Sequence, residues 1–149
     1  MKYTLIIVLL VPFLLTVTAG AVSSPLLYLG VTTDKPTYKS GEPIAIALTV
    51  LNQNSKPYEV QFTSSKVYDF YLYNEQEQLI WKWSGDKMFA MSLVSLKLEP
   101  KRPLTYVTIF NQMLPSGKLL EPGKYKFVGE FCVREKQFRS EAVEIEIRK

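Results

Sequence analysis

A chain of 149 residues with 47% hydrophobic side chains is long enough for one packed domain and too apolar for a disordered segment. Its formal charge of +4 comes from Lys and Arg dispersed along the chain, which excludes the dense basic patch of a nucleic-acid binder. It has no His and a single Cys, Cys132, which excludes Ser-His-Asp and Cys-His chemistry, removes the commonest metal ligand and leaves no intramolecular disulfide.

Residues 1–21 read as an address rather than as part of a fold. Lys2 supplies a positive start, residues 5–17 are almost entirely apolar, and Ala19-Gly20-Ala21 has the small-residue spacing of a signal-peptidase site. The pattern predicts a signal peptide cut after Ala21 and a domain over 22–149. An uncleaved N-terminal anchor, with Pro12 in its middle, is the alternative and would tether the domain to a membrane. Both versions predict a secreted or extracytoplasmic location.

Past the leader, period-2 alternation dominates. Val31-Thr32-Thr33-Asp34-Lys35-Pro36-Thr37-Tyr38-Lys39-Ser40-Gly41-Glu42 resembles the opening of extracellular immunoglobulin-like modules. There a strand ends, a corner crosses between sheets and a second strand follows, with Gly41 in a backbone shape costly for other residues. Ile44, Ile46, Leu48 and Val50 share one face of a strand whose other face is small. Asn52 to Pro57 is a turn cluster, and residues 58–62 form a short strand.

Tyr68, Phe70 and Leu72 face inward on the next strand, with Asp69, Tyr71 and Tyr73 outward. A polar hairpin loop over 74–78 leads to a return strand with Leu79, Trp81 and Trp83 on one face. Val94, Leu96 and Leu98 alternate before a turn containing Pro100 and Pro103. Leu104, Tyr106, Thr108 and Phe110 alternate against Thr105, Val107 and Ile109. A long loop follows, then Tyr125, Phe127, Phe131 and Val133 line an inner face. Val143, Ile145 and Ile147 do so on the last strand. About eight strands and almost no helix predict an all-β, immunoglobulin-like antiparallel sandwich behind the N-terminal segment.

Chemistry-bearing clusters do not emerge from this pattern. Cys132 alternates out of register with Phe131 and Val133, and no basic neighbour activates it. Glu144 and Glu146 sit on a wetted face, and Asp34 with Glu42 lacks the oxygen density a cation needs. The expectation is a non-enzymatic module with no cofactor and no metal.

Tyr68-Asp69-Phe70, then Ile80-Trp81-Lys82-Trp83-Ser84 followed by Phe89, resembles the signature of the BsuPI proteinase-inhibitor family. Gly41-Glu42-Pro43-Ile44, Asn52 and Pro122-Gly123-Lys124-Tyr125 fit the same pattern, so the resemblance spans roughly residues 32–131. Phe110 stands about where the family often carries a Trp. The resemblance implies a β-sandwich that inhibits a serine proteinase of subtilisin type. The family is named for an intracellular inhibitor, whereas residues 1–21 read as a leader.

The large aromatics of the signature read first as core, since each buries 150–250 Å2. If part of the signature instead forms an exposed anchor, the candidates are Trp83, Ser84, Lys87 and Phe89, because a turn projects there. The loop over 111–121 is the other candidate contact, through Met113, Leu114, Lys118 and Leu119, whose apolar groups suit a subtilisin-like cleft. Packing of a plain connection is the competing reading of that loop. The expected function is an exported, non-catalytic binding module resembling a serine-proteinase inhibitor, with a proteinase as protein partner. A cell-surface structural or adhesion module without inhibitory activity is the alternative.

Overall fold

A computed structural model describes residues 27–134 and 136–149. The expected signal peptide or anchor over 1–21 lies outside the described residues. Eleven strands follow in order: β1 (Leu27–Thr33), β2 (Thr37–Lys39), β3 (Ile44–Asn52), β4 (Tyr58–Phe62), β5 (Tyr68–Tyr73) and β6 (Leu79–Lys82), then a 3-10 turn (Trp83–Asp86). The chain continues through β7 (Val94–Leu98), β8 (Pro103–Phe110), β9 (Gly123–Phe131), β10 (Phe138–Arg139) and β11 (Val143–Arg148).

The strands build an antiparallel sandwich. One sheet has the order β1-β3-β8, the other β2-β11-β9-β5-β6, with β10 added to β9 and β4-β7 forming a separate ribbon. The corner between β1 and β2 carries the chain from one sheet to the other, where β2 runs parallel to β11. Asp34 holds that corner by accepting from the Tyr38 hydroxyl at 2.7 Å and the Ala45 amide at 2.9 Å. Gly41 turns the next corner, between β2 and β3, at φ 79°, where a side chain would be strained.

Alternation explains the core directly. Ile44, Ile46, Leu48 and Val50 of β3 are fully buried, and Phe70, Leu72, Phe127, Phe131, Ile145 and Ile147 fill the inner face of the other sheet. The layers lock through aromatic contacts: Phe110 lies 4.4 Å from Trp81 and 6.0 Å from Phe127, ring centre to ring centre. Phe62 of the ribbon meets Phe131 edge-on at 5.2 Å. Gly129 lets the sheets approach, since a Cβ there would lie 2.6 Å from Leu48 Cδ1.

Two expectations need correction. Leu79, expected inward with Trp81 and Trp83, is half exposed. The β5–β6 register shifts between Leu72 and Tyr73, so Trp81 opposes Leu72 but Leu79 opposes Tyr73, and Ile80 is the extra residue. One inserted residue reverses the facing of everything beyond it. Trp83 has left the strand and begins the 3-10 turn. Asp69, Tyr71 and Tyr73 lie on the other face of β5 as expected, and charged side chains cover part of it: Asp69 is 0% exposed and Tyr71 is buried beneath Lys82 and Arg139.

Candidate functional site

The signature residues form a pinned turn. Asp69 accepts from Ser84 Oγ at 2.6 Å and from the Ser84 amide at 3.1 Å, with Lys66 Nζ at 3.1 Å and Lys82 Nζ at 3.6 Å. A buried carboxylate is tolerable only with such partners. Directly before Ser84, Trp83 stacks on Tyr68 at 4.6 Å, and Tyr68 stacks in turn on Tyr106 of the opposite sheet at 4.5 Å. Trp83 is thus a partly covered platform, with Phe89 tilted against it at 5.9 Å and Lys87 Nζ 4.9 Å from its ring centre.

The loop over 111–121 is tied down at both ends. Gln112, fully buried, donates from Nε2 to the carbonyls of Lys39 and Glu42 at 2.8 Å each, and its Oε1 accepts from the Gly41 amide at 3.0 Å. Leu120 is buried in the core and its amide donates to the Gln112 carbonyl at 2.8 Å. Between them Met113 bridges Leu119, and the Leu114 amide donates to the Lys118 carbonyl at 2.9 Å. Met113, Lys118 and Leu119 remain exposed while Leu114 packs against the core.

The two segments singled out in the sequence meet along β6, the edge strand of its sheet. An open groove of about 540 Å3 has Trp81, Gly85 and Asp86 on one wall and Met113, Leu114 and Pro115 on the other. Sequence reasoning missed a third feature. Residues 87–93 run as irregular chain with Met88 100%, Met91 87% and Leu93 62% exposed. The available signal was the absence of charge between Lys87 and Lys97.

A charged cluster occupies the outer face of β5 and β9. Asp69 and Glu130 are cross-strand neighbours, and Arg139 Nε donates to the nearly buried Glu130 at 2.9 Å. Lys82 and Arg139 cover the Tyr71 ring at 5.4 Å and 4.9 Å. Cys132 sits beside Glu130, and burial pushes its thiol up to about 12, with nearby Lys66 pulling the other way. The native thiol is therefore expected to react with iodoacetamide at pH 8 about a thousandfold more slowly than the same thiol in unfolded chain. Mass-spectrometric alkylation rates check this, and equal rates in both states would contradict it. Among the described residues no group of three or more His, Cys, Asp or Glu side chains is placed to hold a metal ion.

A search among curated proteins finds no match in sequence. Solved structures are similar at low identity. A β-glucosidase from Erythrobacter marinus is 11% identical, with a TM-score of 0.47 over 82% of this chain and 15% of that one. The sporulation control protein Spo0M from Bacillus subtilis is 12% identical, with a TM-score of 0.51 over 85% of this chain and 51% of that one. The CARDB domain of a Pyrococcus furiosus protein in complex with di-metal ions is 11% identical, with a TM-score of 0.45 over 81% and 91%. The chain thus spans 15% and about half of the first two, and the likeness to the sporulation protein shows fold alone.

A protein-family model described as "BsuPI: Intracellular proteinase inhibitor" matches residues 31–136. Its description overturns the expectation of a secreted or extracytoplasmic protein, which rested on an apolar run over 1–21 outside the described residues. The expected membrane tether falls on the same residues, and among the described ones no helix is long and apolar enough to cross a membrane. With most of the sandwich matched, including the pinned Asp69–Ser84 turn, the chain belongs to the BsuPI family of intracellular proteinase inhibitors.

Proposed function

We propose that this protein is a non-catalytic inhibitor of a subtilisin-like serine proteinase. The observation that carries the reading is the groove along β6, where the Trp83–Asp86 turn and the 111–121 loop converge on one open edge of the sandwich. Gly85 and Asp86 of the turn line it on one side and Met113, Leu114 and Pro115 of the loop on the other, while Lys87 and Phe89 lie just beyond the turn against Trp83. Rigid, pre-ordered contacts of this kind lose little entropy on binding.

A panel of subtilisin-like and trypsin-like proteinases, titrated with the purified protein against a chromogenic peptide, tests the proposal. Stoichiometric loss of subtilisin-like activity is expected. Full activity across the panel, with the protein itself digested, would refute it.

A structural interaction module without inhibitory activity is favoured by a different observation. The outer face of β1-β3-β8 carries Ala45, Ala47, Thr49 and Thr105 without charge, and Val107 and Ile109 are each 61% exposed there. Val107→Lys with Ile109→Lys leaves inhibition intact under the first reading.

A further inference from the structure

We propose that residues 87–93 are the segment that enters the proteinase cleft, with Met91 in the primary side-chain pocket. The inference rests on the inhibitory reading above and names the part of the molecule that performs it.

A segment that occupies a proteinase cleft needs free backbone groups to pair with the enzyme, outward side chains to fill its pockets, and a fixed conformation. Residues 87–93 approach all three requirements, with one backbone bond inside the segment, from the Ser92 amide to the Ala90 carbonyl at 3.1 Å. Among the described residues no backbone hydrogen bond engages the amides of Met88, Phe89, Met91 or Leu93. Met88, Met91 and Leu93 project into solvent, and flexible thioethers adapt to apolar pockets.

The conformation is fixed from beneath. The Ala90 amide donates to Ser65 Oγ at 3.0 Å and the Ala90 carbonyl accepts from the Ser65 amide at 2.9 Å. Phe89 rests on the Trp83 platform, and Val94 then enters β7 opposite Phe62. Met91 is therefore held one residue beyond a doubly bonded anchor, with its side chain free.

The 111–121 loop lacks these properties. Its Met113–Leu119 bridge and the Leu114 and Gly117 amides are engaged within the loop, so its backbone is already paired with itself. It serves as a wall of the β6 groove rather than as the inserted strand.

The test uses the full 149-residue chain against a bacterial subtilisin. Met91→Asp is expected to weaken inhibition about a hundredfold, because an apolar pocket would have to bury an unpaired charge. Met91→Leu and Val107→Lys, a volume-conserving change and a change on the outer face of the other sheet, are expected to stay within about threefold of the parent, and Met113→Asp, on the groove wall, is expected to weaken inhibition less than Met91→Asp does. Far-UV circular dichroism checks that each variant is folded, which the exposure of these side chains favours. Ser65→Ala, which removes the acceptor of the Ala90 amide and leaves the backbone bond to the Ala90 carbonyl, is expected to make inhibition transient, with cleavage products ending inside 87–93. If the parent inhibits and Met91→Asp inhibits equally while Met113→Asp does not, this inference is overturned and the inhibitory reading stands. If the parent inhibits no proteinase, both fall.

Discussion

Replacing Asp69 by alanine is expected to lower the stability of the fold by about 4 kcal/mol. The carboxylate is wholly buried on the outer face of β5. It accepts from the amide and hydroxyl of Ser84 and faces the ammonium groups of Lys66 and Lys82. Its removal strands the Ser84 amide and leaves two cations beside a site built for an anion. Ser84→Ala takes away one hydroxyl donor and should cost only about 1 kcal/mol. Asp69→Asn keeps the size and one acceptor oxygen, and should fall between the two. Urea midpoints measured for the three variants give the order. Equal midpoints for Asp69→Ala and Ser84→Ala would show that the lysines contribute nothing to the turn.

The expected loss has a functional side. Ser84 follows Trp83, and Trp83 is the surface on which Lys87 and Phe89 rest. Unpinning the turn removes the platform beneath residues 87–93, so Asp69→Ala should also weaken inhibition. The family signature thus describes one physical object: a carboxylate that clamps a serine, and an aromatic stack from Tyr106 through Tyr68 to Trp83.

Much of this fold is legible in the sequence because a strand in a sandwich wets one face and buries the other. β3, β4, β7, β8 and β11 follow their alternation residue by residue, and β9 does so until Glu130, which is buried on the outer face. β6 does not, because the extra residue Ile80 shifts the phase by one, and Leu79 emerges on the wrong side of any period-2 reading. β2 and β10 are too short for a period to be visible.

The buried outer face of β5 escaped for a different reason. Asp69 and Tyr71 look wet by alternation, and they are covered because Lys82 of the adjacent β6 and Arg139 of β10 lie over Tyr71, while Ser84, Lys66 and Lys82 close on Asp69. Candidate contacts were readable as turns at Trp83–Asp86 and residues 111–121, yet their convergence across the β6 groove depends on where β8 ends beside β6. Met88, Met91 and Leu93 carry no period, so beyond the missing charge between Lys87 and Lys97 it is their exposure in the folded chain that marks them.

Gln112→Ala is expected to cost about 3 kcal/mol, which for a domain of this size lowers the melting temperature by about 10 °C. Three partly buried backbone groups lose their partner at once: the Gly41 amide and the carbonyls of Lys39 and Glu42. These belong to the corner where the chain passes from β2 to β3, so one side chain joins that corner to the base of the 111–121 loop. Gln112 also sits at φ 58°, a left-handed backbone that alanine tolerates poorly and glycine freely. Gln112→Gly should therefore cost about 1 kcal/mol less than Gln112→Ala, reversing the usual order of these residues. Gln112→Glu keeps an acceptor for Gly41 but turns a second oxygen toward two carbonyls, and should be no better than alanine. Thermal melts rank the three, and hydrogen exchange at Leu114 and Gly117 reads the loop itself. If the loop is a rigid wall of the β6 groove, its amides should exchange faster in Gln112→Ala while those of β9 hold their protection. Protection lost equally in both would mean that Gln112 supports the whole sandwich and not the groove.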